Sequence, residues 1–179
     1  MTYYGGRELA ASFRTVRTNT LKIAEEIPES SYGFRAADGC RTIGQTLLHI
    51  AAIPKIQLHI QQHRVDDLTK VNWPSLLGEL AAVETQALSK DEIIALLKQE
   101  GEHFASYLEG LHEPFLAELV KTGQQPAVKS RLELLLSPKE HEMHHRAQLM
   151  TLQRILGLTP HLTRAMQERM AQAAAAAKA

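Results

Sequence analysis

His141-Glu142-Met143-His144-His145-Arg146-Ala147-Gln148-Leu149 is the stretch on which the reading of this chain turns. It sets three histidines, a carboxylate and a guanidinium in one run of helical character. On a helix, residues four apart lie on the same face about a turn apart, so His141 and His145 present ring nitrogens to one point in space. That is the geometry of a pair of metal ligands. His144 falls about 100° round the helix from His145 and is expected at the surface or behind the ligands.

Around this stretch the chain reads as helices. Leu132, Leu135 and Leu136 before it, and Leu149, Leu152 and Leu156 after it, extend it into a core helix that closes at Gly157, with Pro160 beyond. Pro138 lies one turn before His141, where a kink and a fresh helix start are both compatible with the sequence. Towards the N-terminus, Leu9, Phe13, Val16, Thr20, Ile23 and Ile27 recur at spacings of three and four, marking a first helix from Arg7 to Ile27 that Pro28 stops. Thr42-Ile43-Gly44-Gln45 is a capping box that opens a second helix running towards Arg64, kinked at Pro54. Ser89-Lys90-Asp91-Glu92 is another, leading into Ile93, Leu97, Phe104, Leu108 and Leu111.

The connections are less regular. Residues 28–41 read as an ordered loop carrying Tyr32 and Phe34, and residues 65–87 as a long crossover holding a short helix opened by Trp73-Pro74. Leu162, Met166 and Met170 suit one more helix before an alanine run, which is expected to fray or to pack against a partner, a homodimer contact among the options. No strand-like alternation competes. The expectation is an all-α fold, a four-helix bundle with an additional C-terminal helix, forming one domain over 1–179 with its core in 1–160 and a tail in 161–179. Bundle cores commonly house metal sites built from facing helices.

Composition narrows the function classes. At 179 residues the chain is long enough to bury a substantial core as a single domain. Twenty Lys and Arg balance twenty Asp and Glu, so bulk charge gives no reason to expect nucleic acid or an anionic membrane as partner. No apolar run is long enough to span a bilayer, and Met1-Thr2-Tyr3-Tyr4-Gly5-Gly6-Arg7 lacks the apolar segment of a signal peptide. Cys40 is the only cysteine, which fits a reducing, cytoplasmic location.

A third histidine completes the constellation. Thr46, His49, Ile50, Ile53 and Ile56 fall together on the second helix, so His49 faces inward. A bundle can bring it to His141 and His145 as three nitrogens with coordination positions left open, the pattern of a catalytic rather than a structural site. His59 and His63 also stand four apart, but His63 is 14 residues beyond His49, about 21 Å along a straight helix. They cannot join. His59, His63, His103, His112 and His161 are expected to be exposed, and Cys40 to be a partly buried loop residue rather than a soft ligand.

His141-Glu142-Met143-His144-His145 matches H-E-x-x-H, and so resembles the zincin metalloprotease signature, in which two histidines bind zinc and the glutamate is general base. Those proteases resemble mixed α/β architectures, and this chain offers neither their strands nor a convincing third ligand, Glu168 being the only acidic candidate downstream.

A second resemblance covers nearly the whole chain. Phe34-Arg35-Ala36-Ala37-Asp38-Gly39-Cys40-Arg41-Thr42-Ile43-Gly44-Gln45-Thr46-Leu47-Leu48-His49-Ile50-Ala51, followed by residues 141–149 and Arg154-Ile155-Leu156-Gly157, is similar to the DinB family within the DinB/YfiT-like superfamily. That resemblance implies a bacterial four-helix bundle holding a divalent ion, usually nickel or zinc, on three histidines, here His49, His141 and His145. The family's usual H-H-R-G-Q run stands as His144-His145-Arg146-Ala147-Gln148, with alanine in place of glycine. It further implies a metal-dependent enzyme acting on a small molecule, either a thiol-dependent S-transferase using a low-molecular-weight thiol or a hydrolase. The alternative of another class is a non-catalytic metal-binding stress or interaction protein. Glu142 is a candidate general base, with an exposed pairing to Arg146 as its competing role.

Overall fold

The computed structural model describes residues 4–177; residues 1–3 and 178–179 lie outside them. Helix α1 spans Gly6–Glu26 and buries Leu9, Phe13, Val16 and Ile23 along one stripe, as its spacing predicts. The Thr42–Gln45 capping box forms, with Gln45 N donating to Thr42 Oγ1 at 3.1 Å and Thr42 N to Gln45 Oε1 at 2.9 Å. It opens α2, Ile43–Ala52. Pro54 then starts a separate helix α3, Pro54–Gln62, after a break at Ile53, because it has no N–H to give to the carbonyl of Ile50. Helix α4, Trp73–Glu84, occupies the crossover. Helix α5, Lys90–Glu109, begins at the Ser89 cap.

A four-residue helix α6, Glu113–Leu116, leads into a feature that the sequence reading missed, an antiparallel hairpin of β1, Leu119–Lys121, and β2, Val128–Ser130, with Val120 opposite Lys129. The expectation of a chain without strands is corrected to that extent. Strands of three residues are too short to show a period, and only Val120 among them is fully buried. Helix α7, Arg131–Ile155, runs through Pro138 without a break. It ends as predicted: Gly157 takes a positive φ of 78° and Leu158 N reaches back to Gln153 O at 2.8 Å. Helix α8, His161–Ala176, is the C-terminal addition.

The bundle consists of α1, α2, α5 and α7. Helix α1 packs mainly on α5 and α7, and α2 packs on the same two, so α1 and α2 stand across the diagonal although they follow one another in sequence. Helix α4 lies outside, against α2. Two apolar clusters fill the interior. One gathers Ile23, Ile43, Leu47, Ile93, Leu97 and Leu149, and the other Leu9, Phe13, Phe104, Leu108 and Leu135. In α1, α5 and α7 the residues of the two clusters occupy opposite ends, and between them lies a buried ion pair, Arg17 with Glu142. No described helix is long and apolar enough to cross a membrane.

Candidate metal centre

Three imidazoles meet just beside that ion pair. His49 comes from the inward face of α2, His141 and His145 from successive turns of α7. His49 Nε2 lies 3.0 Å from His141 Nε2, and His145 Nε2 lies 3.1 Å from the same atom. Two nitrogens bound to one ion at about 2.0–2.1 Å stand roughly 3 Å apart, so the observed spacing suits three ligands on one cation. His49 and His145 are buried and His141 is half-buried.

The outer nitrogens explain how the rings are aimed. Nδ1 of His49 is 2.6 Å from Glu84 Oε1, and Nδ1 of His145 is 2.7 Å from Gln148 Oε1. Both partners are acceptors, so both Nδ1 atoms carry the proton, and the Nε2 lone pairs of the two neutral rings face inward. His141 Nε2 lies about 3 Å from both and can share a proton with only one of them, so at least one lone pair faces another and needs a cation between. The donor set therefore fits a divalent metal, with His141 Nδ1 buried and without a hydrogen-bond partner.

Burial holds all three rings neutral. His141 is pushed down to about 4, first by burial and then by His145 and His49 beside it, and burial lowers His49 and His145 too. Glu84 balances opposing effects: burial raises it, but hydrogen bonds from Arg41 and His49 outweigh that and leave its carboxyl below the usual range. Arg41 donates through Nε to Glu84 Oε2 at 2.6 Å and through Nη2 to Oε1 at 3.3 Å. Beside His145 opens a cavity of about 740 Å³ whose wall includes Cys40, Arg41, Glu84, Gln148, Leu152 and Ile155.

Glu142 is placed differently from the expectation. It is 1% exposed rather than exposed, and its partner is Arg17, not Arg146. Arg17 Nε donates to both Glu142 oxygens at 2.9 and 3.1 Å and Nη2 to Oε2 at 2.9 Å, while Nη1 reaches Leu97 O at 2.6 Å and Nη2 also Ile50 O at 3.3 Å. One guanidinium thus joins α1, α2, α5 and α7. Position 142 lies about 100° from 141 around α7, which turns its carboxylate into the bundle interior rather than out to solvent.

The other histidines divide. His63, His103 and His112 are exposed, as expected, and His59 is half-buried. His59 and His63 stack with centroids 4.4 Å apart on the wall of a different cavity. His161 is a correction: it is 6% exposed, with Nε2 3.0 Å from Asn19 Oδ1, because the turn at Gly157 folds the start of α8 back onto α1. His144 lies behind the site at the surface, its Nε2 3.1 Å from the Gln148 amide that orients His145. Cys40 is exposed rather than partly buried. Glu84, Arg41, Gln148 and Arg17 had no signal of their own in the sequence, except that Arg41 and Gln148 stand within the two stretches that resemble the family.

A helical bundle with a three-histidine cluster on two of its helices, opening on a cavity, is the class of protein that fold and site define. Residues 12–149 match the DinB superfamily, and the chain belongs to that superfamily. YfiT from Bacillus subtilis, described as a probable metal-dependent hydrolase with an unusual four-helix bundle topology, superposes with a TM-score of 0.68 at 16% identity, covering 89% of this chain and 91% of that one. A DinB-like protein from the same organism gives 0.64 at 20% identity, over 85% and 94%. A mycothiol-dependent maleylpyruvate isomerase gives 0.62 at 17% identity, over 83% of this chain and 63% of that one. At these identities the likeness is one of fold. No curated protein sequence matches the chain.

Proposed function

We propose that this protein is a divalent-metal-dependent enzyme acting on a small molecule, and that its reaction transfers the sulfur of a small thiol to an electrophile, with hydrolysis as the second candidate. His49, His141 and His145 are the ligands, and nickel or zinc is the ion. The observation that carries this reading is the convergence of the three Nε2 atoms beside an open cavity, two of the rings being fixed from behind by Glu84 and Gln148. The likeness in fold to a protein described as a probable metal-dependent hydrolase and to a mycothiol-dependent isomerase supports the two reactions named.

A divalent ion on neutral imidazoles, when bound, stabilises a thiolate or hydroxide at neutral pH. The chain's own residues set the conditions for that chemistry. Glu84 accepts a hydrogen bond from His49 Nδ1–H and keeps the opposite lone pair inward, and Arg41 fixes Glu84 in turn. Gln148 does the same for His145. Leu152 and Ile155 make part of the cavity wall apolar. Glu142, with both oxygens on Arg17, holds the helices in register and takes no proton in this reading.

Elemental analysis of the purified protein tests the site: a single divalent ion per chain is expected, lost in His141→Ala and in His145→Ala. Turnover of electrophiles with a panel of small thiols, comparing wild type with His49→Ala, tests the reaction. A folded, metal-loaded protein without thiol-dependent or hydrolytic turnover would leave the ion as a clasp between α2 and α7 and overturn the enzymatic reading.

A further inference from the structure

We propose that Arg41 is a carboxylate subsite: the cavity beside the histidines takes small molecules that carry an acid group a few bonds from the reacting atom, and Arg41 holds that acid. The inference rests on reading this cavity as the active site.

Arg41 precedes the cap of α2 and uses one edge of its guanidinium, Nε and Nη2, on Glu84. Nη1 has no hydrogen-bond partner among the described residues, and the side chain is 44% exposed on the cavity wall. Among the described residues it is the only lysine or arginine lining that cavity.

The hydroxyl and amide side chains on that wall are already engaged. The hydroxyls of Thr46 and Thr151 donate to the backbone, to Thr42 O at 2.8 Å and Ala147 O at 3.2 Å. The Gln148 amide is engaged with His144. The first backbone amides of α2 are spent as well, Ile43 N on Phe34 O, Gly44 N on Tyr32 O and Gln45 N on Thr42 Oγ1. An acid entering the cavity therefore finds its strong donor at Arg41, whose remaining N–H groups suit a carboxylate oxygen.

The distance to the histidines is short. Glu84 touches Arg41 with one oxygen at 2.6 Å and His49 with the other at 2.6 Å, so a single carboxylate separates the guanidinium from a ring of the cluster. Both oxygens of Glu84 are engaged by Arg41 and His49, so neither is left to compete for Nη1 of Arg41. A second group on the same small molecule then reaches the cluster.

The test uses cobalt(II)-loaded protein and two thiols that differ only in the acid, 3-mercaptopropionate and 3-mercaptopropionamide, read by thiolate-to-cobalt absorption. Wild type should bind the acid about tenfold more tightly than the amide. Arg41→Met should abolish that ratio even if Glu84 loosens and both affinities fall, and Arg41→Lys should keep part of it. Equal affinities in wild type, or a ratio that survives Arg41→Met, overturn the subsite. If neither thiol gives the band, the thiol reading of the function fails. The subsite is then decided in the metal-free protein by NMR: Arg41 guanidinium resonances that move with propionate but not with propionamide support it, and resonances unmoved by both overturn it.

Discussion

His49 Nδ1 stands 2.6 Å from Oε1 of Glu84, although the two residues are 35 positions apart and on different helices. This contact gives the crossover helix α4 a role at the site, because its last residue fixes the tautomer of a ligand on α2. Partners of this kind are worth about 10–100-fold in metal affinity. Glu84→Ala should lower affinity by that factor in a chelator competition, and Glu84→Gln, which keeps an acceptor oxygen but no charge, by less. Unchanged affinity in Glu84→Ala would show that α4 is mere packing.

The Arg17–Glu142 pair predicts a stability effect rather than a catalytic one. With both side chains nearly fully buried, removing one partner strands a charge and costs about 3–5 kcal/mol. Glu142→Ala should shift the urea midpoint accordingly while its folded fraction keeps the metal. Arg17→Met combined with Glu142→Leu should recover much of the loss. If Glu142→Ala instead kept full stability and lost only turnover, the general-base role would return.

Gly101 on α5 faces the same arginine. A Cβ there would lie 2.8 Å from Arg17 Nη1 and 2.9 Å from its Cγ. The end of an arginine usually yields cheaply, but this one is fixed by Glu142 and by two carbonyls. Gly101→Ala should therefore lower stability by about 1–2 kcal/mol, the overpacking outweighing the better helix propensity of alanine. A stabilised variant would mean that the guanidinium moves freely.

The three ligating candidates were legible because periodicity carries them: an i, i+4 pair on one helix and a single histidine on an apolar face of another. Their partners were not legible. Arg41 and Glu84 lie 43 residues apart, and Glu84 closes a helix of which only Leu80 is buried, so no amphipathic pattern points it inward. Glu142 was misread for a different reason. Helix α7 packs against both α1 and α2, so more of its circumference is interior than a single apolar stripe suggests, and a charge on the second interior face looks exposed until its Arg17 partner is placed. His161 was hidden by a turn whose direction depends on tertiary packing.

Acidification of the metal-free protein should reveal the cluster. Folded His141, held down to about 4, resists a proton that the unfolded chain accepts below about 6.5. His49, His145 and His161 are lowered by burial in the same direction. Stability is thus fully present above pH 6.5 and is lost as pH falls towards the folded values. Urea midpoints should be level from pH 8 to 7 and decline from 6.5 to 5, before most carboxylates titrate. The slope should shrink in His141→Ala. Level midpoints down to pH 5 would contradict the neutral cluster.

Helix α8 should divide into a part that holds the fold and a part that does not. His161 is 6% exposed and bonded to Asn19, whereas Met166 and Met170 are 56% and 61% exposed. His161→Ala removes a buried hydrogen bond and leaves Asn19 short of a partner, a loss of about 1–2 kcal/mol. Met166→Glu with Met170→Glu should alter the stability of the single chain by no more than about 0.5 kcal/mol, because little apolar area is lost. Light scattering on the same double variant then addresses the expected homodimer: if this stripe joins two copies, two new carboxylates on each face will halve the measured mass while the thermal unfolding of dilute protein stays unchanged. A mass unaffected by the substitutions places any pairing surface elsewhere, and a large drop in stability would mean that the stripe packs on its own bundle.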